Sequence, residues 1–510
     1  MAAPGAPAGS SPDARALAGG SAWVFLGSML EGALRLIATW YLSGALGAER
    51  FGVYSYAVTV ATLASLAAPF GADSGILYFG ARWAQAQDRA RRKGYLLTGL
   101  GLVMVTGPTL SLSLAALGWS GRLWQDKPGV PEAVVLIAPA VGVMALLIYL
   151  TWAIRSARDM RWSTLVFQVV VPATLLVGSC AALRLGLGLR GVIVAFTLAN
   201  ALALLLAAWG AWRHFGGLLR DRAVRAVYEP RVLLAYALPQ GIPGVIYRLN
   251  LWMDIMMLLW LGTAEQVGVY RVAVGLVAMV IFPVGAVNTM FSPQVTQLYH
   301  AGELARLDAL LKVATRWLII LVTPFYLVVV LEHRLILSAF APEYMASASA
   351  VLILMAGQAV HAVCAPANRL LPMSGRSMLD MGLSLAAVAL NLTLNYLLIP
   401  HFGGVGAAIS GASTFTVWGV SRVIAAWLLV GCHPFTLRLG LLLGGAVGLG
   451  AGGLWLAPTG APLWHVGVST VALLAFGAWA LTVGRTAEDA ALVRSGWERL
   501  RRLLGLAERA

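Results

Sequence analysis

Hydrophobic positions along the chain fall into long apolar runs that are separated by short polar segments. A helix needs about 20 mainly apolar residues to cross the hydrocarbon core of a bilayer. Fourteen segments meet this criterion: 22–46, 53–80, 94–118, 131–154, 163–183, 191–212, 232–262, 267–291, 313–331, 346–370, 378–399, 404–431, 438–457 and 464–483. The pattern therefore predicts an all-α polytopic membrane protein with about 14 transmembrane helices.

Basic residues are unevenly divided between the two sides of this predicted topology. Short cytosolic loops of membrane proteins are enriched in Lys and Arg. When the N-terminus is placed inside, most of the 36 Lys and Arg residues fall in inside segments and few fall in outside loops. One missed helix early in the chain would destroy this asymmetry. The charges thus support the helix count, and they predict that both termini are cytosolic.

Composition argues against a soluble globular protein. Hydrophobic residues make up 60% of the chain and charged residues 11%, whereas soluble domains carry about 25% charged residues. The net charge of +15 does not indicate nucleic-acid binding, because the basic residues lie in short loops rather than on a soluble surface. Three cysteines stand far apart and form no metal-ligand or redox motif: Cys180, Cys364 and Cys432.

Two pairs of similar segments indicate an internal duplication. LGAERFGVYSYAV, from Leu46, and LGTAEQVGVYRVAV, from Leu261, share Leu-Gly, Ala-Glu and Gly-Val-Tyr once a single residue is inserted. LRGVIVA, from Leu189, and GGVGAAIS, from Gly403, recur at nearly the same separation. Each half contains six predicted spans, so both halves enter the membrane from the same side. This arrangement predicts two six-helix lobes related by a pseudo-two-fold axis along the membrane normal, followed by two C-terminal helices.

The spans and the duplication divide the chain into six regions. The predicted regions are a disordered cytosolic tail (1–21), an N-lobe of helices 1 to 6 (22–212), a cytosolic linker (213–231), a C-lobe of helices 7 to 12 (232–431), helices 13 and 14 (432–483) and an amphipathic cytosolic tail (484–510). The last region is interpreted as amphipathic because its leucines recur at mostly helical spacing among arginines.

Arginines inside apolar segments are the strongest candidates for a binding site. A charge at that depth costs at least a few kcal/mol unless it faces a wet cavity or a partner. Arg35 and Arg248 lie in corresponding helices of the two halves, and Arg271 lies closer to the outer edge, where it is able to snorkel. Converging guanidinium groups would bind an anion such as a phosphate. Gln240 and Asn250 share the helix of Arg248 and are candidates for the same cavity.

Acidic residues in the apolar segments have competing interpretations. Glu31 is able to neutralise Arg35 as an i,i+4 pair, and Asp254 is able to pair with Arg271. Glu31 is alternatively a coupling site for H⁺ or Na⁺, and Asp254 is a candidate for coupling or gating. Asp73 follows Pro69 and Gly71, which predict a bent backbone, and it is either a gate or part of a structural loop. Intramembrane asparagines are interpreted as hydrogen-bonding residues between helices, among them Asn391 and Asn395.

Four segments carry a family resemblance. They are the LG-AExxGVY motif at Leu46 and Leu261, PQGIPGVIYRLNLWMDIMML from Pro239, AFAPEYMASASAVLIL from Ala339 and NLTLNYLLIPHFGGVGAAIS from Asn391. Together they resemble the polysaccharide flippases of the multidrug/oligosaccharidyl-lipid/polysaccharide exporter superfamily, over nearly the whole chain. The resemblance implies a V-shaped pair of six-helix lobes with two trailing helices.

The same resemblance implies a function. It suggests export of an undecaprenyl-diphosphate-linked oligosaccharide, an O-antigen or exopolysaccharide repeat unit, from the inner to the outer leaflet of the bacterial inner membrane by alternating access. By position, Arg35, Arg248 and Arg271 would then hold the pyrophosphate. Expected partners are the lipid-linked oligosaccharide, membrane lipids, a polysaccharide polymerase and glycosyltransferases.

Three alternatives are weighed against a lipid-linked oligosaccharide flippase. A lipid II flippase is a near relative, but it is expected to carry more arginines in its first two helices. A cation-coupled multidrug exporter shares the fold, but its cavity should favour carboxylates. A membrane glycosyltransferase or polymerase needs a sizeable outer loop, and the sequence shows no such loop, catalytic carboxylate pair, metal cluster or nucleotide-binding loop. We therefore expect a transporter that has no catalytic residue and no resident cofactor.

Overall fold

A computed structural model describes residues 12–278, 281–456 and 462–483, and its regular secondary structure there is helical. The helices are α1 (Pro12–Ala67), α2 (Ala72–Gln85), α3 (Arg89–Ser120), α4 (Val130–Ser156), α5 (Met160–Thr164), α6 (Val171–Arg184), α7 (Gly188–Arg220), α8 (Pro230–Leu261), α9 (Ala264–Ala278), α10 (Ile281–His300), α11 (Leu304–Ser338), α12 (Ala348–Cys364), α13 (Leu370–Met373), α14 (Ser377–Val430), α15 (Leu437–Leu456) and α16 (Pro462–Val483). A π-helix, Leu165–Val170, joins α5 to α6. The predicted tail 484–510 and residues 1–11 lie outside the described residues, whereas residues 12–21, predicted as part of a disordered tail, belong to the start of α1.

Long apolar helices dominate the described part of the chain. Ten of them are long and apolar enough to cross a membrane, or eleven when the bent pair formed by Leu26–Ala67 and Ala72–Gln85 is counted as one span. The other predicted spans lie in the second arms of the kinked helices α1 and α14, and in α9 and α10, which flank residues 279–280. The prediction of an all-α, multi-pass membrane protein is confirmed.

Glycines set the kinks in the two longest helices. Gly47 in α1 has φ 76° and Gly403 in α14 has φ 54°, both in the left-handed region. A side chain at such a φ costs roughly 1 kcal/mol or more, whereas glycine adopts it freely. At each of these glycines a non-helical residue therefore separates two apolar helical arms of the same element.

The described residues group into two compact units. The first comprises those within Met1–Phe282, Leu337–Gly357 and Met378–Trp418, and the second comprises those within Pro283–Ile336, Gln358–Ser377 and Gly419–Ala510. In the second unit, α11 packs against α15 and α16 through Leu327, Leu442 and Phe476, which are all buried. Ser469 of α16 donates a hydrogen bond to the buried Glu332 of α11.

Equivalent glycines of the duplicated motif meet inside the first unit. A Cβ added to Gly52 would lie 1.7 Å from the carbonyl oxygen of Ala264, and one added to Gly268 would lie 2.0 Å from the carbonyl oxygen of Ala48. Ala48 and Gly52 correspond to Ala264 and Gly268 in the aligned motifs. The contact between α1 and α9 is thus reciprocal, as a pseudo-two-fold axis requires. Only glycine permits backbones to approach this closely.

Further hydrogen bonds close the same end of the first unit. Glu343 accepts a hydrogen bond from the backbone N–H of Ala48 at 2.7 Å, and the Tyr344 hydroxyl donates to the carbonyl oxygen of Ser43 at 3.1 Å. The indole N–H of Trp40 donates to the carbonyl oxygen of Ala339 at 2.6 Å. All three contacts join α1 to residues 339–344, which belong to a loop that the predicted topology places outside.

Candidate functional site

A cavity of about 550 Å³ lies within the first unit, beside the end of α1 and lined by α2, α4 and α8. Its charged lining residues are Asp73, Arg155 and Arg248. The remaining wall combines apolar and small polar side chains, among them Leu66, Phe70, Ser74, Ile148, Thr151 and Trp152. Two guanidinium groups against one carboxylate give this cationic cavity a net positive charge, which suits an anionic ligand.

Asp73 reaches the cavity because the chain bends just before it. The turn between α1 and α2 includes Phe70 at φ 47° and Gly71 at φ 79°, and the two helices meet at 43°. A Cβ on Gly71 would lie 2.0 Å from the carbonyl oxygen of Ala237 in α8. Glycine therefore lets this turn pack directly on α8. The bend that Pro69 and Gly71 predict is confirmed.

Arg248 presents its guanidinium to the cavity from α8. Its side chain is exposed, and among the described residues no carboxylate lies within 4.0 Å of it. The Asp73 carboxylate lines the same cavity. Arg248 thus remains able to donate hydrogen bonds to an anion.

Arg155, which directly follows the predicted span 131–154, is a cavity residue that the sequence analysis did not identify. The residue lies at the end of α4, where its Nε donates to the Ser163 hydroxyl at 2.9 Å. Its guanidinium lies 5.3 Å from the ring centroid of Trp152, one turn earlier. The Trp-x-x-Arg spacing at the end of an apolar segment is the signal that would have pointed to it.

Arg35 lies outside the lining of the cationic cavity and is held by its own helix. Its Nη2 and Nε both lie 2.9 Å from Glu31 Oε1, so the predicted i,i+4 pair is confirmed. The Arg35 side chain is still 54% exposed. Neither Arg35 nor Arg271 lines the cationic cavity, so these two arginines form a second cationic group apart from Arg248.

The suggested pairing of Asp254 with Arg271 is wrong. The Arg271 guanidinium stacks 4.8 Å from the ring centroid of Trp252. Asp254 is buried and accepts hydrogen bonds from three neutral donors, namely the Tyr270 hydroxyl at 2.9 Å and the amides of Asn391 at 3.0 Å and Asn395 at 2.8 Å. These three hydrogen bonds, rather than a cation, stabilise the buried carboxylate. Asn391 and Asn395 do join helices, as expected.

The two uncharged candidates on α8 are Asn250 and Gln240. Asn250 is buried, and its amide lies 3.4 Å from the carbonyl oxygen of Ser384 in α14. It does not line the cationic cavity. The side chain of Gln240 lies outside the described residues. Within the part of the chain that the structure describes, no group of three His, Cys, Asp or Glu side chains is arranged to hold a metal ion.

Solved structures of two transporters share this architecture. A lipid II flippase MurJ in an inward closed conformation superposes with a TM-score of 0.70 at 12% identity, covering 91% of this chain and 99% of that one. An inward-facing multidrug resistance MATE family transporter of the MOP superfamily gives a TM-score of 0.68 at 16% identity, with 80% and 98% covered. At these identities the likeness shows the fold alone.

Sequence comparison then identifies the family. A model described as polysaccharide biosynthesis protein matches residues 17–294, which is more than half of the chain. The chain belongs to this family, and the resemblance expected from its motifs is confirmed. It is also 30% identical over 187 residues to the probable low-salt glycan biosynthesis flippase Agl15 of Haloferax volcanii. That match covers 36% of this chain and 38% of the relative.

Proposed function

We propose that this protein flips a lipid-linked oligosaccharide, with undecaprenyl diphosphate as the lipid, from the inner to the outer leaflet of a bacterial inner membrane. The cationic cavity is the observation that carries this proposal. Arg155 and Arg248 outnumber the single carboxylate of Asp73 there, which favours a diphosphate over a cationic drug. The name of the glycan biosynthesis relative supports a glycan as the cargo.

Two cationic groups at different depths suit a stepwise transfer. The cavity group, Arg155 and Arg248, lies towards the predicted inside, where the diphosphate would first bind. Arg271 lies one turn from the Gly268 contact that closes the predicted outer end, and Arg35 lies on α1, the helix that α9 meets there. Opening that end would expose the second pair, and the diphosphate would exchange one pair of guanidinium groups for the other. The acyl chains would remain in the bilayer.

Coupling to an ion is part of the proposal. Asp254 is a buried carboxylate with neutral partners, so binding of H⁺ or Na⁺ would change the net charge of its site. Glu31 already has an ion partner in Arg35, which makes it the weaker candidate. A polymerase and glycosyltransferases would act before and after the transport step.

Arg248→Ala tests the proposal in cells that depend on this protein for surface polysaccharide. We expect polymer export to be abolished while membrane insertion stays normal. The variant removes a cavity arginine that has no carboxylate within 4.0 Å among the described residues. Surface polysaccharide and protein abundance are measured by immunoblot. Arg225→Ala is the matched control, because Arg225 is exposed in the linker outside the cationic cavity.

Unchanged polymer with Arg248→Ala would contradict the assigned site. Export of a cationic drug by the intact protein in resistance assays, with normal polymer after gene deletion, would instead favour multidrug extrusion. Accumulation of lipid-linked oligosaccharide in the inner leaflet after deletion is the result expected for a flippase.

A further inference from the structure

A second cavity adjoins the cationic cavity in the first unit. It has a volume of about 600 Å³, and Ser74 lines both spaces. Three of its residues, Ser74, Tyr78 and Arg82, are spaced four apart on α2 and therefore share one helix face. The predicted topology places it nearer the cytosolic surface than Arg248. The two cavities thus form neighbouring compartments on one side of α2.

Aromatic and basic side chains meet in this second cavity. The rings of Tyr78 on α2 and Tyr236 on α8 stack with centroids 4.5 Å apart and planes 18° apart. Arg82 and Arg158 line the same space with Gln85. Among the described residues, neither guanidinium lies within 4.0 Å of a carboxylate, and no acidic side chain lines the cavity.

The backbone of Arg158 adds an independent sign of function. Arg158 lies in the turn between α4 and α5 with φ 65°, a conformation that costs a non-glycine residue about 1 kcal/mol or more. Glycine would satisfy this turn without strain. An arginine at this position therefore places a guanidinium in the cavity at a cost to the fold, as is common at binding sites.

From this arrangement we propose that the second cavity is a glycan subsite that recognises a pyranose carrying a carboxylate, that is, an acidic sugar. The inference rests on the proposed function and names the substrate class. Tyrosine rings offer an apolar surface to the C–H face of a sugar, and their hydroxyls, with Gln85 and Ser74, pair with sugar hydroxyls. Arg82 and Arg158 would hold the carboxylate through charge-assisted hydrogen bonds. The diphosphate would lie beyond Ser74 at Arg155 and Arg248.

Saturation-transfer NMR on the purified full chain in uncharged nanodiscs tests this subsite. The probes are a glucuronate-containing disaccharide, the matching neutral disaccharide and inorganic pyrophosphate. We expect the acidic disaccharide to bind more tightly than the neutral one, and Arg158→Gly to weaken its binding about tenfold, the loss of one charge-assisted hydrogen bond. Glycine relieves the φ strain at this position, so the variant should fold. Pyrophosphate binding should be unchanged.

Two further variants separate the possible outcomes. Arg161→Gln is the control, because Arg161 is exposed a few residues away and does not line the second cavity. Tyr78→Leu should weaken both disaccharides, since both use the stacking surface. Equal binding of the two disaccharides, no binding of the acidic one, or loss of pyrophosphate binding in Arg158→Gly would each overturn the subsite. If Arg248→Ala still abolishes polymer export in that case, the flippase proposal stands without it.

Discussion

The guanidinium groups of the first unit differ in the contacts that they make within the protein. Arg35 gives Nε and Nη2 to Glu31. Arg271 stacks on the face of Trp252, which leaves its in-plane donors available. Arg248 has neither kind of partner among the described residues. Under the proposed function, a diphosphate would be expected to bind Arg248 before Arg35, because Glu31 competes for the donors of Arg35.

The buried carboxylate of Asp254 accepts hydrogen bonds on both of its oxygens. Two asparagine amides reach Oδ1 and a tyrosine hydroxyl reaches Oδ2. The donors come from α9 and α14, whereas the acid is on α8, so the cluster ties three helices together. A group that senses an ion at this position would act directly on how those helices pack.

Replacement of Asp254 by asparagine is expected to remove ion dependence without unfolding the protein. Asparagine keeps an acceptor for the amides of Asn391 and Asn395, and the Tyr270 hydroxyl can rotate to accept its amide. Transport in proteoliposomes with an imposed H⁺ or Na⁺ gradient should become independent of that gradient. Asp254→Ala, in contrast, removes the acceptor of three hydrogen bonds and should lower the melting temperature, at about 1–3 kcal/mol for each hydrogen bond lost. Full gradient dependence in Asp254→Asn would exclude this carboxylate as the coupling site.

Helix α9 meets α1 through backbone atoms rather than side chains. The contact depends on Gly52 and Gly268, which let each helix approach a carbonyl oxygen of the other. Without a hydrophobic driving force between helices in lipid, close packing of this kind supplies much of the attraction. The same closeness makes the contact sensitive to a single methyl group, because backbone cannot move aside as a side chain does.

Gly268→Ala should therefore open the predicted outer end. Its Cβ would lie 2.0 Å from the carbonyl oxygen of Ala48, so α1 and α9 must separate. In a chain whose native cysteines are replaced, labelling of a cysteine at the buried Ser43 by an impermeant maleimide should rise severalfold. Gly275→Ala on the same helix is the control, since its nearest neighbour, Thr39, would be 3.9 Å away. Equal labelling in both variants would show that the glycine contact does not hold this end closed.

Periodicity explains why the helices could be predicted and their polar partners could not. Apolar runs and the repeated Gly-Val-Tyr motif are local signals, and they were enough for the spans and the paired breaks. The partners of Asp254 lie 137 and 141 residues away on α14, a relationship that no local pattern encodes. For the same reason the sequence places Arg155 just past the end of a predicted span, whereas in the structure it lines the cationic cavity.

At the scale of the whole molecule, the predicted topology assigns the two cavities and the contacts of Glu343 and Tyr344 to opposite sides of the membrane. The cationic cavity and the second cavity lie beside segments that the charge asymmetry places inside, and the contacts of Glu343 and Tyr344 lie beside segments that it places outside. The predicted topology thus assigns both cavities to the cytosolic side of the membrane.

A protease-accessibility experiment tests that orientation. A tag fused after the last residue should resist protease added to intact spheroplasts and be cleaved in inverted vesicles, because the predicted C-terminus is cytosolic. A tag inserted between α3 and α4, near Asp126, should show the opposite pattern. Cleavage of the C-terminal tag in spheroplasts would reverse the topology, and the cavities would then face the other side.

The reciprocal glycine contact has a consequence for the ancestry of the chain. Because each copy of the motif supplies both the glycine and the carbonyl oxygen that the other copy needs, a single copy carries everything required to dock onto its own twin. A half-length ancestor that formed a homodimer through this contact, followed by gene duplication and fusion, would account for the self-complementary motif.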